Sequence, residues 1–183
     1  MSNFVIRRAE KEEIPEILTI IHQVWEQMEK KEWFFVDGDE VTEELLLSDR
    51  GTGYLAWEED SGRAAGIFTT EIPGMAEYNL GRDLGLKEEE LLLVAHMDSS
   101  AVLPEFRGNH LQYRLMQAAE ADLKKKGIRY LMCTVHPENC YSLWNVQKQG
   151  YHVVATKEKY GGKLRNILVK DLMDSKEESV FCD

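Results

Sequence analysis

The residues best placed to do chemistry lie between Met97 and Gln112. There a strand ending at Val102-Leu103 meets the turn Pro104-Glu105-Phe106, followed by Arg107-Gly108-Asn109-His110-Leu111-Gln112. A strand that runs through a Gly-containing turn into a helix start presents unpaired backbone N–H groups and the positive end of the helix dipole. Such an end binds phosphate. An ordinary strand-to-helix connection with a solvated Arg107 fits the same residues. On the strand itself, period-two alternation places His96, Asp98 and Ser100 on one face, with Met97 and Ser99 opposite. One face is thus unusually polar. Asp98 and the serines can serve backbone groups where a strand diverges, and His96 reads as a packed, hydrogen-bonded core residue.

Other reactive side chains form weaker patterns. Cys133, His136 and Cys140, with His152 as a distant fourth, have spacings of three and four, but zinc sites more often use paired Cys-x-x-Cys units, so no metal is expected. No nucleophile elbow or oxyanion motif surrounds either cysteine, which argues against a Cys-His hydrolase. Cys182 makes the cysteine count odd, and no disulfide framework is implied.

These residues need elements to hold them. A chain of 183 residues, 43% hydrophobic and 30% charged, is of the size and composition of one folded domain, expected over residues 3–172 with an acidic C-terminal tail over 173–183. Residues 3–8 read as a strand. Ile14, Ile17, Leu18, Ile21, Trp25 and Met28 recur every three or four positions and predict a helix from Lys11 to Lys30, with Pro15 in its first turn. Trp33-Phe34-Phe35-Val36 and the acidic turn Asp37-Gly38-Asp39-Glu40 read as a loop before a short helix near 41–48. Strands Tyr54–Glu58 and Ala64–Ile72 form a hairpin around Glu59-Asp60-Ser61-Gly62. Residues 73–90 read as an insertion with a turn of helix, and a long strand is expected from Leu91 to about Leu103. The helix opened at Arg107-Gly108 carries Leu111, Leu115, Met116, Ala119 and Leu123 on one face. It ends at Lys124-Lys125-Lys126-Gly127, where lysines suit the negative dipole end and Gly127 the left-handed cap. A strand over Arg129–Val135, a helix over Glu138–Gln149 and strands near 151–156 and 165–171 complete an α/β (α+β) order. That order predicts a mixed, largely antiparallel sheet of about seven strands with helices on both faces.

The segment Val102-Leu103-Pro104-Glu105-Phe106-Arg107-Gly108 resembles the GNAT superfamily of acyl-CoA-dependent N-acetyltransferases, which carry Gln/Arg-x-x-Gly-x-Gly/Ala after a strand ending in Val-x-Pro. His136-Pro137-Glu138-Asn139 through Gln149-Gly150-Tyr151 is similar to a second signature of that family, an Asn after the next strand and a helix closing in Gly-Phe or Gly-Tyr. The resemblance in element order covers residues 3–171. It implies a direct transfer from acetyl-CoA, in which an acceptor amine attacks the thioester carbonyl. The cofactor would be held by Ser100, Ala101 and Val102, by Arg107, Gly108, Asn109, His110, Leu111, Gln112 and Tyr113, and by Asn139 on the pantetheine arm. It further implies that Trp33, Phe34 and Phe35 border the acceptor pocket, although they equally suit sealing the core edge under a loop.

The chain departs from the family pattern at three places. His110 and Gln112 stand where the helix-start glycines belong, so either the helix amides still serve, with these side chains adding donors or pointing aside, or CoA binds less tightly. Val146 occupies the position, seven residues after Asn139, where many members have a Tyr that protonates the departing thiolate. Thr134 stands five residues before Asn139, where some members place a carboxylate. A free thiolate can leave at neutral pH at modest cost, so the missing Tyr lowers the rate without forbidding it. Asp98, acting through water, is the candidate base, and Tyr141, near the expected thiol, the candidate acid.

The net charge of -11 disfavours nucleic acid and anionic membranes, and the absence of a long apolar run leaves a cytoplasmic protein as the expectation. CoA is itself a polyanion, so it must be held locally, by Arg107, by Arg114 as a second candidate, and by helix amides. The acceptor is expected to be a small-molecule or peptide amine. The acidic runs Asp37–Glu44 and Glu88–Glu90 would suit a cationic one such as a polyamine, aminoglycoside or Lys side chain, though they read equally as solvated faces. A homodimer is left open, and a non-catalytic acyl-CoA-binding or sensing module is the alternative.

Overall fold

A computed structural model describes residues 3–174 of the chain. The acidic tail expected over 173–183 lies outside the described residues from 175 onward. Seven strands form one sheet: β1 (Phe4–Arg8), β2 (Gly51–Glu58), β3 (Arg63–Glu71), β4 (Val94–Val102), β5 (Tyr130–Val135), β6 (His152–Lys159) and β7 (Lys163–Asp171). Their spatial order is β1-β2-β3-β4-β5-β7-β6, and β4–β5 is the one parallel pair. The helices are α1 (Ile14–Gln27), α2 (Asp39–Leu47), α3 (Glu88–Leu91), α4 (Leu111–Lys125) and α5 (Cys140–Lys148). No described helix is long and apolar enough to cross a membrane.

The helices cover opposite faces, and single contacts show which. A Cβ on Gly53 would strike the Cδ1 of Ile17 in α1, so the Gly53 face of β2 carries α1. Tyr54, one residue on, points the other way and donates its hydroxyl to Asp122 of α4 at 3.2 Å. Through the strand register the α1 face takes in Thr69, Glu71 and His96, and the α4 face takes in Phe68, Thr70 and Met97. In α1 the buried residues Ile14, Ile17, Ile20, Ile21 and Val24 recur at helical spacing, and in α4 the buried set is Leu111, Leu115, Met116, Ala119 and Leu123.

Element boundaries differ from the sequence expectations where side-chain capping intervenes. α1 stops at Gln27 because Lys31 folds back to donate its ammonium to the carbonyls of Trp25 and Glu26. Asp39 and Glu40 are the first turn of α2 rather than a loop, their charges set against its positive end. β4 begins at Val94 and not Leu91, since Glu90 caps the Lys87 N–H and draws Glu88–Leu91 into a helical turn. The β6–β7 hairpin is longer than expected at both of its inner ends. Residues 157–164, mostly charged or Gly, lack the alternation that marks a half-buried strand.

Gly66 is required where β3 meets the end of β4. Paired with Val102, it leaves room that an added Cβ would fill at 2.9 Å from the Ala101 carbonyl oxygen and 3.1 Å from the Val102 Cγ2. Backbone cannot rotate aside as a side-chain tip can, so Gly66→Ala should destabilise the fold by about 1–3 kcal/mol. Thermal unfolding should show a Tm lower by roughly 2–4 °C per kcal/mol.

Candidate active site

β4 and β5 pair over only three positions, Val94↔Tyr130, Ala95↔Leu131 and His96↔Met132, and then separate. The cause lies on the other side of β4. Thr70 pairs with Met97 and Phe68 with Ser100, so Thr69 alone faces both Asp98 and Ser99, a β-bulge. The Thr69 hydroxyl, itself buried, donates to the Asp98 carboxylate at 2.9 Å and accepts the Ser99 N–H at 3.0 Å, which fixes the extra residue in place. A bulge bends its strand, and here it turns β4 away from β5, leaving a slot between them.

The bulge also corrects the expected alternation. His96 and Asp98 share the α1 face, but Ser100 pairs with Phe68 and lies on the α4 face. One strand thus offers a carboxylate to one side of the sheet and a hydroxyl to the other. His96 is a core residue: its Nε2 accepts the Leu80 N–H at 3.0 Å, its Nδ1 lies 3.8 Å from Glu71, and burial pushes its pKa down to about 4. It is neutral at physiological pH.

Asp98 follows the last residue of β4 that pairs with β5, beside the opening between the two strands. Water reaches its carboxylate, yet protein surrounds it at longer range, and this loss of solvation pushes its pKa up to about 6. The Thr69 and Ser99 hydrogen bonds oppose the shift, while the charges of Asp37 and Glu71 add to it. Among the described residues no Lys, Arg or His pairs with it. Asp37, in the connection between α1 and α2, is likewise raised by partial burial.

On the other face, α4 starts at Leu111, later than expected, because two residues before it adopt left-handed backbone: Gly108 at φ 84° and His110 at φ 55°. α1, α2 and α3 each carry an acid in the first turn, and α5 is capped by Asn139, whose side chain accepts the Ser142 N–H at 3.2 Å. α4 has neither, so its dipole is left uncompensated. Exposed Arg107 stands beside it. These residues fit a diphosphate. Arg114 does not belong to the set, since its guanidinium donates to the Phe4 carbonyl at 2.8 Å. Val146 is buried at 3% exposure in the core under α5, and Tyr141 is 85% exposed in that helix's first turn.

The aromatic residues between α1 and α2 separate in role. Phe34 packs against the core, while Trp33 stacks on His136 at 6.3 Å, its indole N–H buried without a hydrogen-bond partner among the described residues. Phe35 stacks on Tyr160 at 4.6 Å and 10°. Arg165 of β7, 2% exposed, donates to the Glu32 carbonyl at 2.8 Å and so ties this connection to the sheet. Tyr160 and Arg165 went unrecognised in the sequence because both lie at the polar tip of the hairpin, outside the apolar runs that mark its strands; the Tyr160-Gly161-Gly162 turn was the only local mark. Among the described residues, no group of three or more His, Cys, Asp or Glu could hold a metal ion. Cys133 is buried, its thiol pushed up to about 12, whereas Cys140 is exposed.

Known proteins share this fold. A family model described as the acetyltransferase (GNAT) family matches residues 15–151, and the chain belongs to that family. An N-acetyltransferase from Staphylococcus aureus Mu50 superposes with a TM-score of 0.70 at 19% identity, covering 93% of this chain and 99% of its own. A ribosomal-protein-alanine N-acetyltransferase from Brucella melitensis gives 0.69 at 18% identity, with 92% and 99% covered. A Salmonella typhimurium protein solved with its cofactor acetyl-CoA gives 0.69 at 17% identity, with 99% and 100% covered. At these identities the likeness is one of fold. No curated protein sequence matches the chain significantly.

Two expectations follow from the geometry. A carboxyl whose folded pKa exceeds its unfolded value adds stability that is fully present below the unfolded pKa and lost as pH rises through the folded one. Asp98→Asn should therefore raise the Tm at pH 7 to 8 and confer no such gain below pH 4, as measured by melting curves across pH. A side chain in left-handed backbone costs about 1 kcal/mol, so His110→Gly should stabilise the protein by up to that amount. Calorimetry should also show tighter CoA binding, since backbone can then approach the phosphates.

Proposed function

We propose that this acyltransferase moves an acetyl group from acetyl-CoA to a primary amine, which attacks the thioester carbonyl directly. The proposal rests chiefly on one observation: the slot between β4 and β5, with the elevated, unpaired carboxylate of Asp98 on one side and the uncapped N-terminus of α4 on the other. In this scheme the N-terminal amides of α4 and Arg107 take the CoA diphosphate. The pantetheine arm runs along β4 at Ser100–Val102 toward Asn139, whose Oδ1 caps α5 and whose Nδ2 is left for the arm. A backbone N–H of that stretch holds the oxyanion. CoA supplies the activated acyl carbon and the leaving thiol, and the chain supplies position and proton transfer.

The amine must be neutral to attack. Asp98, ionised above its pKa of about 6, is suited to take the amine's proton directly or through one water. The acceptor enters from the α1 face, past Phe35 and Trp33, where Asp37 and Asp98 both carry negative charge and favour a cationic amine. The acceptor is a small molecule or a peptide amine.

Incubating the protein with acetyl-CoA and a panel of amines, while following free thiol, tests the transfer. Tight CoA binding with no turnover on any amine would instead favour a non-catalytic acyl-CoA-binding or sensing module, for which buried Val146 and strained His110 are the supporting observations. Asp98→Asn should lower kcat/KM about 10²-fold. The deficit should be largest above pH 6, where wild-type Asp98 is ionised, and should shrink as pH falls through that value; an unchanged pH–rate profile would remove Asp98 from the mechanism.

A further inference from the structure

The α4 face offers the departing thiol no Tyr at the usual place, because Val146 is apolar and buried. The other face brings a phenol to the slot. Thr134 lies two residues beyond Met132 on β5, as Asp98 lies two residues beyond His96 on β4, and His96 pairs with Met132. β5 keeps an unbroken register with β7 from Tyr130 to Val135, so Thr134 stays on the face that His96 and Asp98 share. Asp98 and Thr134 therefore flank the slot on one face. The hydroxyl of Tyr160, from the β6–β7 turn, lies 3.1 Å from the Thr134 Oγ1.

The ring is held from two further directions. Phe35 stacks on it, and its own backbone is left-handed at φ 50°, followed by Gly161 and Gly162 at φ 76° and 97°. A non-glycine residue in that region is strained, and such strain gathers where a side chain must be aimed. We propose that Tyr160 is a catalytic residue of the acetyl transfer inferred above, donating the proton that the CoA sulfur takes as it leaves; Thr134 is its positioning residue.

In the step that rests on that reading, the neutral amine nitrogen forms the C–N bond and the tetrahedral adduct collapses. The C–S bond breaks with its electron pair on sulfur, and the Tyr160 O–H proton passes to that sulfur. Asp98 accepts the proton lost by the nitrogen, and the phenolate recovers a proton from Asp98 through water, so amine and acetyl-CoA yield amide and free CoA thiol. Burial and the Asp98 charge both raise the Tyr160 pKa, which keeps the donor protonated across the working range.

Tyr160→Phe keeps the ring and its stack on Phe35 and removes only the hydroxyl. With acetyl-CoA and an amine turned over by the wild type, kcat should fall about 10²-fold. KM for both substrates should stay within about twofold, and the solvent deuterium isotope effect on kcat should shrink, leaving only the part due to proton transfer to Asp98. Thr134→Val, which leaves the phenol in place but unaimed, should give a smaller fall of roughly tenfold, again in kcat. A Tyr160→Phe protein with wild-type kcat, or one changed only in the KM of the amine, overturns the role of Tyr160 while leaving the transfer standing. A wild type that turns over no amine overturns the transfer itself, and this role with it.

Discussion

One extra residue in β4 organises the site. Because Thr69 has to face both Asp98 and Ser99, the strand bends there, its side-chain alternation inverts, and its pairing with β5 is not resumed. A regular strand would have placed Asp98 and Ser100 on the same face and closed the slot with hydrogen bonds. The buried hydroxyl of Thr69 holds the irregularity from both sides, accepting from one residue of the bulge and donating to the other. Everything proposed for the reaction, a carboxylate toward the acceptor and open backbone toward the cofactor, follows from that local mismatch of two residues against one.

The two faces are then dressed differently. On the α4 side the chain withholds acids from one helix start although it carries 33 acidic residues, and this leaves a local positive end in a protein of net charge -11. On the α1 side, Asp98 and Asp37 have no Lys, Arg or His ion-pair partner among the described residues, and desolvation raises the pKa of each. The overall charge therefore describes neither site. Affinity for a polyanion and tolerance of a cationic amine depend on which few groups each face exposes.

Much of the frame was legible in the sequence, since helices with an apolar face declare themselves by period: the five core positions of α4 are those buried in the structure. The turn proposed to take phosphate was legible as a strand, turn and helix start, but its conformation was not. Left-handed backbone at His110 is set by the path of the chain and leaves no signature in a residue type that seldom adopts it. The bulge was hidden for another reason. It is defined by Thr69, some thirty residues away from Asp98, and a single chain read by alternation has no access to its partner's register. Tyr160 was hidden because it sits in the polar turn at the tip of its hairpin, away from the buried apolar run of β7 that marks the strand; what brings it to Thr134 is the insertion of β7 between β5 and β6.

The same parallel contact of three residue pairs has a mechanical meaning. On one side of it lie β1 to β4, on the other β5, β7 and β6, and each group is antiparallel and continuous within itself. The sheet is in effect two plates joined by a short weld, with the crack beyond the weld forming the place where reactants meet. A ligand lying in that crack bridges both plates and acts as a splint, so occupancy and rigidity rise together. The sheet's hydrogen bonding is thinnest along the line where the molecule is proposed to work, and the cofactor proposed to lie there would also hold it closed.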